Sequence, residues 1–256
     1  MEVAGRLRTV IRSRARALLS ALRAKLPGDA AGNGAVKSQG HVEFIREARA
    51  AGMELGDYCE RKWGVVGSSE RAVSALCLPH IPEGGRVVEI GTGTGRYARR
   101  VLERRPGVTY FSFEPGAGWN DYLRKRFAGL DFRVMGSDGA SLAGVEEASV
   151  DFVHAHGVFV YLDTTVVLGY LVHAARVLKP GGYLLFDVFD ADDRSPEFFA
   201  FLERLMREGA DRLLLSAGFL QCFLRRLDFS CVHTDNRNPN HGYYSTYLLF
   251  KKHATK

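Results

Sequence analysis

The apolar positions of this chain fall into two rhythms: stretches recurring every three or four residues, and short apolar runs closed by glycine, proline, asparagine or aspartate. Leu7, Val10, Ile11, Leu18, Leu22 and Leu26 follow the first rhythm and predict a helix over residues 3–26, ended by Pro27 and Gly28. Residues 28–40, GDAAGNGAVKSQG, have neither rhythm and read as a flexible linker. From His41 to Leu78 the helical rhythm returns, in HVEFIREARAAG, around GDYCERKWG, and in SSERAVSALCLPHI with Ser68 or Ser69 as N-cap. Val87, Val88 and Ile90 around Glu89 then form a run of the buried parallel-strand type, which Gly91, Gly93 and Gly95 turn into a helix over residues 96–104. Further strands are predicted at 109–113, 132–136, 148–155, 183–189, 220–229 and 243–251, and helices at 119–127, 164–178 and 196–217. Alternating β and α, closed by two late strands without a long helix between them, predicts an α/β fold. Its form is a Rossmann-like, doubly wound, seven-stranded sheet, mostly parallel with an antiparallel last strand and helices on both faces. The organisation expected is a basic amphipathic N-terminal helix (1–27), a flexible linker (28–40), a helical cap segment (41–82) and a core (83–256).

Composition refines this in two places. A chain of 256 residues with 46% hydrophobic content suits one sizeable α/β domain with appendages. The formal charge of +6 lies within residues 1–26, where seven basic residues face Glu2, and residues 27–256 sum to zero. The basic segment therefore suits contact with an anionic membrane surface or packing on a partner, including a second copy in a homodimer, and it also has the Arg-rich character of a transit peptide. A neutral body gives no reason to expect nucleic-acid binding. Cys59, Cys77, Cys222 and Cys231 form no C-x-x-C pair and no metal-ligand spacing, which predicts a reduced, cytoplasmic protein without zinc. No run of about 18 apolar residues suggests a membrane span.

Candidate chemistry gathers where strands end. The turn reads G-x-G-x-G followed by Arg96, so the third glycine of a dinucleotide G-x-G-x-x-G is missing. Glu114 ends the second strand beside that turn, where a carboxylate can accept both hydroxyls of a ribose. Ser137-Asp138-Gly139 follows the third strand, and Asp138 can accept a hydrogen bond from an adenine amino group.

Over about residues 83–251 the chain resembles the class I S-adenosylmethionine-dependent methyltransferases. The resemblance is carried by E-I-G-T-G-T-G at 89–95, Glu114, S-D-G at 137–139, D-F-V-H-A-H-G from Asp151, R-V-L-K-P-G-G at 176–182 and L-S-A-G-F at 215–219. It implies that Glu89, Gly91, Thr92, Gly93 and Gly95 pass the methionine part of S-adenosylmethionine. Glu114 then holds the ribose, and Ser137, Asp138 and Gly139 meet the adenine. It also implies a catalytic set in DFVHAHGVFVYLD: His156 as cofactor contact and general base, and His154 two residues earlier on the same strand face but deeper. Tyr161 stands where many small-molecule members carry a histidine, and would orient an acceptor hydroxyl. Asp187 is expected nearest the substrate. With Asp190, Asp192 and Asp193 it forms the cluster that some sugar methyltransferases use to hold Mg²⁺ and a diol. His241, Tyr243 and Tyr244 are candidates for a stacking lip.

The resulting expectation is methyl transfer to a hydroxyl of a small molecule, with a sugar or glycolipid precursor preferred. An N-methyltransferase is the nearest rival, although the N-P-P-Y or D-P-P-Y tetrad of amino-group modifiers is replaced here by H-A-H-G. An RNA or protein methyltransferase, and a non-catalytic, cofactor-sensing interaction module recruited through residues 1–26, are the others.

Overall fold

The computed structural model describes residues 40–235 and 245–254. The predicted N-terminal helix, nearly all of the linker, and His241, Tyr243 and Tyr244 lie outside the described residues. Three helices precede the sheet: α1 (Gly40–Ala50), α2 (Leu55–Lys62) and α3 (Ser68–Ala72). The third continues through one wide π turn (Val73–Cys77) and a 3-10 turn (Leu78–His80). Then follow β1 (Arg86–Ile90), α4 (Arg96–Arg104), β2 (Thr109–Phe113), α5 (Ala117–Arg126), β3 (Phe132–Val134) and β4 (Val150–Ala155). The chain continues with α6 (Thr164–Val177), β5 (Leu178–Asp190), α7 (Pro196–Arg207), β6 (Leu214–Leu215), α8 (Ala217–Arg225), β7 (Phe229–Asp235) and β8 (Thr246–Lys252). Among the described residues no helix is long and apolar enough to cross a membrane.

The strands lie in the order β3-β2-β1-β4-β5-β8-β7, with the two-residue β6 added beside β5. Neighbours from β3 to β5 pair in parallel, whereas β8 pairs antiparallel with both β5 and β7. The final strand therefore runs against all the others, as the sequence leads one to expect. From β1 the chain winds outward to β2 and β3, then returns to β4 on the other side. In an open sheet of this kind, the crevice beyond the carboxyl ends of β1 and β4 is where ligands bind.

Strand parity divides the core. Val88, Ile90, Phe111, Phe113, Val153, Phe186 and Val188 face one way and pack under α6 and α8 through Val167, Leu171, Leu220 and Leu224. Burying each such side chain contributes about 1.5–3 kcal/mol relative to leaving it in water. Val87, Tyr110, Phe152, Leu185, Tyr247 and Leu249 face the other way, beneath α4 and the π turn through Tyr97, Ala98, Val101, Val73 and Cys77. The end of α3 and its π turn thus roof the second face, while α1 and α2 cluster with Trp119 and Tyr122 of α5.

Several boundaries differ from expectation. Residues 220–229, expected as a strand, form α8 and the turn after it, because Leu220, Phe223, Leu224 and Leu227 recur at helical spacing and Ser216 caps the helix by accepting from Phe219 N at 2.9 Å. The strand follows instead as β7, after Asp228 at φ +65°. The helix expected over 196–217 stops at Arg207, with Gly209 at φ +62°. β5 starts at Leu178 rather than Tyr183: the K-P-G-G segment joins the sheet, with a register shift against β4 between Val150 and Phe152. Neither Ser68 nor Ser69 is the N-cap of α3; Gly67 is, at φ +75°. Both serines serve the buried Glu60 carboxylate, which accepts from Gly67 N (2.7 Å), Ser68 Oγ (3.2 Å) and Ser69 N (2.8 Å).

Candidate active site

The glycine turn is built by positive φ angles, +69° at Gly91, +51° at Gly93 and +73° at Gly95, which L side chains rarely adopt. Two of these positions do different work. A Cβ on Gly91 would run into Val158, so the loop after β4 rests directly on the turn, while nothing lies within 4 Å of a Cβ built on Gly93. Glu114, at the end of β2, closes the far side: its Oε2 accepts from Gly93 N at 2.9 Å and its Oε1 from Gly116 N at 2.8 Å. Burial raises the Glu114 pKa, with those two backbone N–H groups acting the other way. Each oxygen keeps a further lone pair for a hydroxyl donor. Uncovered backbone at Gly93 beside a two-oxygen acceptor at Glu114 fits the ribose and methionine parts of an adenosyl cofactor.

Beneath the turn lies a buried polar network on the α4 face of the sheet. Glu89 (β1), Tyr110 (β2), His154 (β4), Asp187 (β5) and Tyr247 (β8) share that face by alternation, and His156 continues it just past β4. The Tyr110 hydroxyl donates to Glu89 Oε2 at 2.8 Å and lies 2.9 Å from His154 Nε2. Burial pushes the Glu89 carboxyl up to about 8, against the hydrogen bonds from Tyr110 and Thr92. Thr92 is itself held by Ser112 Oγ at 2.8 Å. Burial alone pushes the His154 imidazole down to about 3, so at neutral pH it is uncharged.

His156, 6% exposed, stacks on Tyr97 with ring centroids 3.8 Å apart, and its Nδ1 lies 3.3 Å from the Tyr247 hydroxyl. Asp187 is buried, which raises its pKa, and its Oδ1 accepts from Gly157 N at 2.6 Å. It therefore fixes the loop that carries His156. Arg96, the first residue of α4, packs its guanidinium 5.2 Å from the Trp63 ring and 4.7 Å from the Tyr97 ring, and its Nη1 lies 3.7 Å from Glu60.

Other predicted residues stand apart from this network. Tyr161 is 49% exposed on a short 3-10 turn (Phe159–Tyr161), with the Arg212 guanidinium 4.4 Å from its ring. Asp138 follows β3 as expected, but both its oxygens engage its own turn, through Ala140 N, Ser141 N and Ser141 Oγ at 2.9, 2.7 and 2.6 Å. Ser137 Oγ accepts from Gly139 N at 3.2 Å. The acidic cluster does not converge as a cation site. Asp190 Oδ1 accepts from Asp192 N and Ala217 N, Asp192 Oδ2 from Ser216 and Gly218, and Asp193 Oδ1 from Ser195 N, all as loop or helix caps.

Tyr97, Tyr110, Tyr247, Arg96 and Glu60 escaped the sequence reading. Parity within β1 and β2 was the available signal for Tyr110, since Glu89 is one residue off the buried apolar positions on its strand; the rest depend on packing between distant elements.

The comparisons with known proteins agree with this architecture. A family model described as a methyltransferase domain matches residues 69–234. No curated protein matches in sequence. Solved structures with the same fold include the 1,6-didemethyltoxoflavin-N1-methyltransferase of Burkholderia thailandensis, determined with 1,6-didemethyltoxoflavin and S-adenosylhomocysteine bound. It is 19% identical with a TM-score of 0.56, covering 85% of this chain and 91% of that one. They also include S-adenosylmethionine-dependent methyltransferases from Thermotoga maritima (23% identical, TM-score 0.56, covering 82% and 96%) and Aquifex aeolicus (18%, 0.52, covering 72% and 88%).

Proposed function

We propose, since this chain belongs to the family of S-adenosylmethionine-dependent methyltransferases, that it methylates a hydroxyl of a small molecule and that His156 takes the acceptor proton. Once bound, S-adenosylmethionine supplies a methyl group already activated by its sulfonium. The work left to the chain is to hold, align and exclude water. Gly91, Thr92, Gly93 and Gly95, with Glu89 below them, would flank the methionine part, and Glu114 would accept the ribose hydroxyls. Asp138 would add an adenine contact to the bonds it already makes within its turn.

The observation that carries the reading is the seating of Val158 on Gly91. It sets the segment 156–158 against the glycine turn, and this supports reading His156 as the residue that would face the methyl group. Tyr97 and Tyr247 fix the imidazole in the buried network, and Asp187 fixes the loop through Gly157. As the acceptor oxygen gains the methyl group, its proton passes to an imidazole nitrogen, a role for which histidine is suited by its ordinary pKa. His154, deeper and uncharged, is a positioning residue in this scheme. A sugar acceptor held through Mg²⁺ gains no support from Asp190, Asp192 and Asp193, whose oxygens cap loops.

His156→Ala is expected to lower turnover at least about tenfold while leaving S-adenosylhomocysteine affinity within a few-fold. Turnover near that of the parent would reassign His156 as structural. A nitrogen acceptor is the second reading, favoured by the N1-methyltransferase among the structural neighbours. Homocysteine release, coupled to hydrolysis of the product nucleoside and measured against parallel panels of hydroxylated and amino acceptors, separates the two. Turnover confined to amines would overturn the hydroxyl assignment.

A further inference from the structure

We propose that Cys77, His154 and His156 form a binding site for a divalent zinc-class ion, tying the helical roof to the sheet. Cys77 comes from the π turn that continues α3, and the two histidines come from β4 and the residue just past it. All three are buried, and one ligand atom from each lies within 4.8 Å of the others. A tetrahedral zinc ion with about 2.1 Å to nitrogen and 2.3 Å to sulfur asks for ligand atoms roughly 3.5 Å apart, a separation inside that bound. One thiolate and two imidazoles make a donor set of borderline softness, which suits zinc and disfavours magnesium or calcium.

A second observation is independent of that convergence. His154 Nδ1 is buried and has no hydrogen-bond partner. The other ring nitrogen, Nε2, lies 2.9 Å from the Tyr110 hydroxyl, which donates to Glu89 Oε2 at 2.8 Å. That contact holds the ring by Nε2 and leaves Nδ1 without a partner in the interior. It is also the arrangement seen around ligating histidines, whose second nitrogen is held by a hydrogen-bonded partner backed by a carboxylate.

Coordination balances simply: the thiol S–H of Cys77 breaks, its proton leaves to solvent, and the sulfur pair forms the bond to the metal. No oxidant or reductant takes part. Three protein ligands leave a fourth position of the tetrahedron for water. A ligated His156 has one ring nitrogen on the metal and a proton on the other, so it cannot also take a proton from an acceptor. Zinc-bound and base-competent states of His156 therefore exclude each other, which makes the site inhibitory toward the reaction proposed above. The site itself does not rest on that proposal.

The test uses the full untagged chain, equilibrated with one equivalent of Co²⁺ under anaerobic conditions and then challenged with Zn²⁺. The expected result is a thiolate-to-cobalt charge-transfer band with tetrahedral visible bands, displaced by zinc, and about one zinc retained per chain after gel filtration. Cys77→Ala is expected to lose the charge-transfer band. Absence of that band from the parent chain, or an equally strong band in Cys77→Ala, would overturn the site. Zinc retention by the parent decides the question if the variant does not fold: retention below a tenth of an equivalent overturns it. S-adenosylhomocysteine titration of the same preparation reports on the cofactor site separately, so a negative metal result beside intact binding touches only this inference.

Discussion

Replacing Gly91 by valine is expected to weaken S-adenosylhomocysteine binding by about a hundredfold or more while the chain still folds. The reasons add. Gly91 sits at φ +69°, where a β-branched residue is a genuine outlier, and leaving glycine there costs on the order of 1–2 kcal/mol. The new Cβ also meets Val158, so the turn and the loop carrying His156 cannot both keep their positions. A turn displaced by a fraction of an ångström no longer presents its backbone to the cofactor, and the Gly93 N–H to Glu114 bond is strained with it. Gly129→Ala supplies the contrast. It also replaces a glycine of positive φ, +89°, with nothing within 4 Å of the new Cβ, but lies outside the turn, in the segment after α5. It is expected to lose stability and keep affinity. Isothermal titration of both variants decides the matter, and parent-like affinity in Gly91→Val would contradict the assignment of this turn as the cofactor cradle.

The second large effect is a pH dependence of stability carried by Glu89. Its carboxyl titrates at about 8 in the folded chain, against an ordinary value near 4.5, because burial disfavours the charge. A raised folded pKa means that the native state holds a proton which the unfolded chain has already released. The associated stability is complete below the ordinary value and is lost as pH rises toward 8. His154 acts oppositely, since its pKa is lowered from 6.5 to about 3 by burial and stability is lost as pH falls below 6.5. Above pH 6.5 the His154 slope is gone, and comparison with Glu89→Gln cancels the slopes of other carboxyls raised by burial, such as Glu114 and Asp187. Urea denaturation of the ligand-free chain is expected to show the parent losing about 2 kcal/mol relative to Glu89→Gln between pH 6.5 and 8.5, from one proton at about 1.4 kcal/mol per pH unit until the carboxyl titrates. A stability difference that stays constant across that range would show that Glu89 is ionised throughout and that the network beneath the turn is charged.

The fold was legible in the sequence because its signals are local. Three glycines after a run of valine and isoleucine, and helices of three-to-four spacing between short apolar runs, are set within a dozen residues each. The errors arose where local patterns compete. Residues 220–229 are apolar enough for a strand, but Leu220, Phe223, Leu224 and Leu227 make one helix stripe and Ser216 caps it. Lys179 to Gly182 resembles a helix stop and is one, yet the strand already begins at Leu178, and its ladder with β4 passes from Leu178 to Tyr183 across these residues.

The candidate site was legible along its rim and, through the family resemblance, at single buried positions. Glu114 and Asp138 end strands, where polar residues face ligands, so sequence position alone suggested them. Glu89 and His154 came from the family resemblance, but the network that joins them to Tyr110 and Tyr247 was hidden for a physical reason: all four lie inside strands, where a polar residue ordinarily marks the solvent face. Here that face is roofed by α4 and the π turn. Which strands are neighbours, and therefore that Glu89 stands beside both Ser112 and His154, follows from the register of the sheet and from nothing within any one segment. Cys77 joined the histidines for the same reason, across a sequence separation that no spacing rule covers.

The most direct test of the whole account is calorimetric titration of the parent chain with S-adenosylhomocysteine. Saturable binding at one site per chain, weakened when Glu114 is changed to alanine, is the predicted result. A chain that is folded by circular dichroism and shows no heat of binding at millimolar ligand would contradict it.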